Sequence, residues 1–424
     1  MSSPAQRPLD DPAAGAGLLL IRLALVVLAF GVPVSAVLSR RASFTLLPVG
    51  TGLILVAATL LPRPRIKQRL RDAALSIVGL ATIGLLAWCA VSLAWTPFPR
   101  EAFVRLSKEV GTLLLVGLGI AVMPERTRTA NLYLFPLGLS VAAAATLAAA
   151  VLGLRSVVIF QDVDPTLERA VVSLVLLVWP AIGALAVRER WASAGWLAVG
   201  VTLAALAAWT SIALAALAMG ALIFALATIS PSVVGRMLGG LIAAIILLGP
   251  VWPILVDPVS AGLADAVGDR LPALVDAAQS IHVWADLMLA QPVRLITGHG
   301  FDMATRATAF GFLPAAVPRS VLFEIWYELG VVGALAAATL AYCGLAAAGR
   351  SSPTVAPFLL AEIVTALTVS IWGPDTTQSW WFTLLGVVAL AFATVIRGQY
   401  RTSRPTVRLA APIGGLRETE PSMN

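Results

Sequence analysis

Long runs of hydrocarbon side chains, interrupted by short clusters of Arg, Pro and Gly, recur from residue 17 to residue 396. A helix needs about 20 apolar residues to cross a bilayer. The pattern predicts such segments near 17–37, 44–61, 74–95, 107–123, 130–152, 170–187, 192–208, 210–229, 236–256, 320–346, 354–372 and 378–396. The expected fold class is all-α: a polytopic integral membrane protein of about 12 transmembrane helices. One boundary rests on a single site, Trp209 and Thr210, where a long apolar stretch has to turn back on itself.

The connections are short except one, residues 257–319. A structureless loop longer than about 15 residues is unusual unless it has a function. Within it "ALVDAAQSIHVWADLMLA" (273–290) places Leu274, Ala277, Ala278, Ile281, Trp284 and Ala285 on one helical stripe. That spacing predicts amphipathic helices lying at the membrane face. The same loop holds "GHGFDMATRATAFGF" (298–312), and with it His299 and His282, the chain's only two histidines.

Composition agrees with the pattern. The 424 residues are 59% hydrophobic and 12% charged, against roughly 45–50% apolar in a soluble domain. The net charge of +7 invites a nucleic-acid reading, but in a membrane protein basic residues first report orientation. With a cytoplasmic N-terminus, the inside connections carry Arg63, Arg65, Lys67, Arg69, Arg71, Arg126, Arg128, Arg188, Arg190, Arg236 and Arg350. The outside ones hold fewer: Arg40, Arg41, Arg100, Arg105, Lys108, Arg155 and Arg169. Both termini are therefore expected in the cytoplasm, the long loop outside it, and no nucleic acid among the partners. The expected organisation is a cytoplasmic segment 1–16, a membrane domain 17–396 and a disordered cytoplasmic tail 397–424. The polar start runs straight into a full-length apolar segment, so no cleavable signal peptide is expected. Cys89 and Cys343 lie in apolar runs and read as packing residues, without a disulfide or a metal.

Several stretches, in order along the chain, resemble the bacterial O-antigen ligase and O-antigen polymerase family. They are "LAWTPFPREAFVR" (93–105), "ERAVVSLVLLVWP" (168–180), "QPVRLITGHGFD" (291–302), "RSVLFEIWYELGVVGAL" (319–335) and "TTQSWWFTLLGV" (376–387). Gly330, Gly333 and Ala334 fit the family's glycine step, while Arg319 and Ser320 stand at its histidine-led entry and Ser280 stands where it has an arginine. The roles of those unmatched family residues are not carried over.

The resemblance implies an enzyme of the bacterial inner membrane. It would move a glycan from a polyprenyl pyrophosphate carrier to a sugar hydroxyl on a glycan or glycolipid acceptor at the outer face, with membrane lipids around it and no cofactor. As the anomeric bond breaks, the departing pyrophosphate gains negative charge that guanidinium groups would stabilise. Candidates are Arg294, Arg319, Arg306, Arg270, Arg100 and Arg105, with Lys108 and Arg169 also on the expected outer side. Candidates to take the acceptor's proton are His299, Glu324 and Asp302, with His282 beside them. Glu324 and Glu328 sit four apart on one expected helical face. Gly330 and Gly333 are expected to permit close helix contact rather than to touch ligand. The Asp162-Val163-Asp164 stretch suggests a divalent ion, which the resemblance does not support, so no metal is expected. The alternatives are an O-antigen or exopolysaccharide polymerase, a non-catalytic relative that binds lipid-linked glycan, and a transporter. A transporter would want charges buried mid-span, and Arg22 and Glu362 are the main ones there.

Overall fold

A computed structural model describes residues 12–38, 42–61, 66–125, 127, 129–153, 166–268, 272–318, 320–372 and 379–398. All regular structure among them is helical, apart from one isolated bridge between Thr127 and Gly398. Helix α1 (Pro12–Val26) passes through a π turn (Val27–Gly31) into α2 (Val32–Leu38), and α3 (Ala42–Leu60) follows. Then come α4 (Ile66–Leu75), α5 (Ile77–Ser92), α6 (Pro99–Val122), α7 (Leu134–Val151) and α8 (Thr166–Ala186). They are followed by α9 (Trp191–Ala207), α10 (Ser211–Ile229), α11 (Pro231–Leu247), α12 (Val251–Val267) and α13 (Pro272–Ala290). Two short helices, α14 (Arg294–Thr297) and α15 (Met303–Ala309), precede α16 (Val321–Glu324), a second π turn (Ile325–Leu329) and α17 (Gly330–Gly349). The chain closes with α18 (Ala356–Trp372) and α19 (Ser379–Ile396).

Every apolar segment expected from the sequence falls on a helix. Among the described residues, five helices are long and apolar enough to cross a membrane, or up to seven if each of two bent pairs is one span. The others are either shorter apolar helices or, like α6, carry charge: Arg100, Glu101, Arg105, Lys108 and Glu109 occupy its first half. The turn expected at Trp209 is present, with Trp209 in the left-handed region at φ 54°. Two expected segments are not single rods. Residues 74–95 begin inside α4, a charged helix bent 72° from α5, where the Ser76 hydroxyl caps the Gly79 N–H. Residues 236–256 break after Leu247, and α12 departs at 79°. Gly249-Pro250 accounts for that break, because glycine is a poor helix former and the proline after it removes a helical donor and disfavours α geometry at the residue before it.

The largest core cluster is built around α8, which is apolar on all sides, and Ala170 to Ala181 are all buried. Apolar burial provides little force between helices in lipid, so close contact depends on small residues. Helices α11 and α17 show this. A Cβ on Gly235 would lie 2.6 Å from the Leu345 carbonyl, and one on Gly349 2.5 Å from the Pro231 carbonyl. Polar groups inside the core are mostly satisfied locally: the Trp179 indole donates to Thr365 Oγ1 at 2.8 Å, and Thr365 donates to the Ala361 carbonyl at 2.8 Å. Exceptions among the described residues are the Glu362 carboxylate, buried in α18, the Thr51 hydroxyl and the indole N–H groups of Trp95, Trp252, Trp284 and Trp380, none with a hydrogen-bond partner there.

A second cluster joins α12, α13, α15 and the start of α17. Its spine is a run of rings: Trp252 on Trp284 (5.1 Å), Trp284 on Phe323 (5.6 Å), Phe323 on Tyr327 (5.1 Å) and Tyr327 on His299 (4.1 Å). The described residues of 257–318 are thus mostly helical, and Ala278, Trp284 and Ala285 of the expected stripe are buried, while Ala277 is exposed.

Candidate functional site

The site begins with a defect in a helix. Between α16 and α17 the backbone widens into the Ile325–Leu329 π turn and stops at Gly330, at φ 62°. The widened turn leaves carbonyls facing sideways, and π turns recur where backbone is recruited for other work. Here the Gly298–Asp302 strip takes them up. The His299 N–H donates to the Tyr327 carbonyl (2.8 Å) and the Gly300 N–H to the Glu328 carbonyl (3.0 Å). On the other side the Phe301 N–H donates to Ser92 Oγ (3.1 Å), and the Trp88 indole donates to the Leu329 carbonyl (2.9 Å). A Cβ on Gly298 would lie 2.1 Å from the Glu328 carbonyl, and one on Gly300 2.7 Å from Thr96. The two glycines therefore allow backbone to meet backbone. The packing expected at Gly330 is against α14 and the start of this strip, since its Cβ would meet the Ile296 carbonyl at 2.6 Å and the Gly298 nitrogen at 2.8 Å.

This docking turns the Glu328 carboxylate under the strip. Its two oxygens accept the Asp302 N–H (3.0 Å) and the Ala304 N–H (2.9 Å), so it caps the start of α15. Asp302 is left-handed at φ 64°, a conformation that Asp tolerates better than most residues. Its carboxylate bridges two guanidiniums: Oδ1 accepts from Arg105 Nη1 and Oδ2 from Arg306 Nε, both at 2.7 Å. Arg105, nearly two turns into α6, also reaches Glu109 Oε1 at 2.9 Å and lies 3.8 Å from Glu324 Oε2, with its charge 5.1 Å above the Phe301 ring. Pro99 at the first position of α6 fixes where that helix starts, and so which turn presents Arg105.

Of the residues expected from the sequence, Arg105, Asp302, Arg306 and Glu324 meet at this one point. His299 and Arg294 lie beside it. The His299 Nδ1–H donates to the Tyr327 carbonyl (3.0 Å), and Nε2 faces the Gln291 side-chain amide (3.0 Å). Burial, assisted by the Arg294 charge, pushes this imidazole below its ordinary 6.5, toward the neutral form. Arg294 and Arg100 are exposed, Arg100 farther back on α6. His282 belongs to a separate surface contact, with Asp257 at 3.0 Å and Asp286 at 3.5 Å. Arg169 lies over the Trp380 ring at 5.5 Å. Arg319, Arg270 and the Asp162–Asp164 stretch lie outside the described residues, as do residues 1–11 and the tail from 399 onward. No group of metal-ligating side chains gathers among the described residues.

Sequence reasoning missed Glu109, Ser92 and Trp88. Only Glu109 left a signal, its i, i+4 spacing from Arg105. Ser92 and Trp88 serve through contacts more than 200 residues away in sequence, which no local pattern announces.

Chemically, the arrangement offers two guanidiniums on one buried carboxylate, a second carboxylate (Glu324) 3.8 Å from Arg105, and an imidazole whose Nε2 meets the Gln291 side chain. Comparison of the chain with protein-family models and with curated proteins gives no match in either case.

Proposed function

We propose that this chain is a glycosyltransferase of the O-antigen ligase type, divergent within that family. It would move a glycan from a polyprenyl pyrophosphate carrier to a sugar hydroxyl at the outer face of a bacterial cytoplasmic membrane. In this reading the expected twelve segments span the bilayer, both termini are cytoplasmic, and residues 257–319 face outward. The observation that carries it is the convergence of Arg105, from the early stretch resembling the family, with Asp302 and Glu324, from the two later ones. These stretches lie about 200 residues apart, and the chemistry requires them to meet.

The acceptor hydroxyl attacks the anomeric carbon while the bond to the pyrophosphate oxygen breaks. Glu324 or the His299 Nε2 takes the hydroxyl proton. Arg105, held in place by Asp302 and Glu109, and the more exposed Arg306 and Arg294 compensate the charge of the leaving pyrophosphate, a role that suits paired, permanently charged donors. A binding-only role is the second reading. It is favoured by the fact that Asp302 is spent on two guanidiniums, which leaves it little capacity to accept a proton.

A strain lacking the chain tests both readings. The ligase reading predicts completed glycan retained on its lipid carrier, restored to its acceptor by the unaltered chain but not by Arg105→Lys or Glu324→Gln. Accumulation of single repeat units would indicate a polymerase. Restoration by both variants would leave binding as the role.

A further inference from the structure

We propose a binding site for an anionic phospholipid in the groove between α7 and α9, which shares no residue with the site above. The groove encloses about 600 Å³, within the range of sites that bury a ligand of several hundred daltons. Its floor is hollowed by small residues at helical spacing, Ser140 and Ala144 on α7, Ser193 and Gly200 on α9, and Trp196 stands 77% exposed at its rim. Such a floor admits a hydrocarbon chain where a larger side chain would fill the space.

One end of the groove is Tyr133, and two arginines cover that ring: Arg188 with its charge 4.8 Å from the ring centre, Arg190 at 5.3 Å. Neither has a carboxylate partner among the described residues, so both guanidiniums are available. Helix α9 starts at Trp191 immediately after them, with no side-chain cap from Arg190. A helix N-terminus favours an anion, and this one directly follows Arg190. An apolar channel ending at two cations and a helix N-terminus matches a lipid with a phosphate headgroup and an acyl tail. Basic pockets between membrane helices hold anionic lipids for this reason.

The test uses the full chain purified in detergent, with bound lipid weighed on the intact protein by native mass spectrometry. The wild type should retain phosphatidylglycerol over phosphatidylcholine. Arg188→Gln with Arg190→Gln should lower that preference about fivefold for each arginine lost. Ser140→Leu with Ala144→Leu should expel both lipids. Equal retention of the two lipids by the wild type, unchanged retention in either double variant, or displacement by inorganic phosphate would overturn the proposal. So would a protein dimer that occupies the groove and dissociates when the groove is filled. A measurement on the unaltered groove guards against misfolded variants: brominated phosphatidylglycerol should quench the fluorescence of Trp196, obtained as the difference from Trp196→Phe. Equal quenching by brominated phosphatidylcholine would count against the site.

Discussion

At Gly298 a single hydrogen separates docking from collision. The residue is at φ 70° and its absent Cβ would sit 2.1 Å from the Glu328 carbonyl. Gly298→Ala therefore incurs a left-handed strain and a backbone clash together. It should destabilise the strip by about 2–3 kcal/mol or detach it, seen as faster amide exchange at residues 299–304 with the membrane helices unchanged. Arg105 carries a different risk. Its side chain is 15% exposed and Asp302 is 3% exposed; removing Arg105 leaves Asp302 with Arg306 alone and takes from the 12%-exposed Glu109 its guanidinium partner, and breaking such a buried pair costs about 3–5 kcal/mol. Arg105→Met should thus lower the melting temperature clearly more than Arg100→Met, whose side chain is exposed. His299 gives a pH test. Because burial keeps its pKa below 6.5, the neutral ring's contribution to docking is fully present above pH 6.5 and is lost as pH falls through the depressed value. Amide protection of the strip should therefore decline below pH 6.5 in the wild type and lose that dependence in His299→Gln. The histidine and its flanking glycines were visible in the sequence as unusual, but their first duty was not. The geometry shows each glycine pressed against another backbone, a relation that exists only once the Ile325–Leu329 π turn has opened ahead of α17.

Among the elements, the straight apolar helices were legible because length and hydropathy alone define them. The bends were not, since a 20-residue window averages across Ser76 and Gly249. The Ile325–Leu329 turn was hidden for a further reason. Its sequence, "IWYEL", carries no breaker of its own, and the carbonyls it releases are satisfied only by a strip entering from elsewhere, so the defect and its partner stabilise each other. The spacing that put Glu324 and Glu328 on one face is undone by the same turn: Glu324 goes to Arg105 and Glu328 to the backbone of Asp302 and Ala304. Helix pairing gives a prediction of its own. Gly235→Leu should force α11 and α17 apart, because the Leu345 carbonyl stands where its Cβ must go. Gly240→Leu, five residues on and facing open space, should be tolerated, and the thermal stability of the purified protein should separate the two.

On the scale of the molecule, a large core around α8 supports a smaller, aromatic-lined assembly of α12 to α17, and the candidate site lies where the second meets α5 and α6. Rigid helices from both ends of the chain thus fix Arg105, Asp302 and Glu324 together. Whether that constellation can meet a lipid pyrophosphate depends on the side of the membrane it faces. The direct measurement is labelling of intact cells with a membrane-impermeant thiol reagent, in a chain whose Cys89 and Cys343 are replaced by alanine. With a single cysteine at Ala309, an exposed position next to the site, labelling should proceed without breaking the cells. With a single cysteine at Ser352, between α17 and α18, it should require permeabilisation. Protection at Ala309 together with labelling at Ser352 would put the guanidiniums in the cytosol and contradict the proposed transfer.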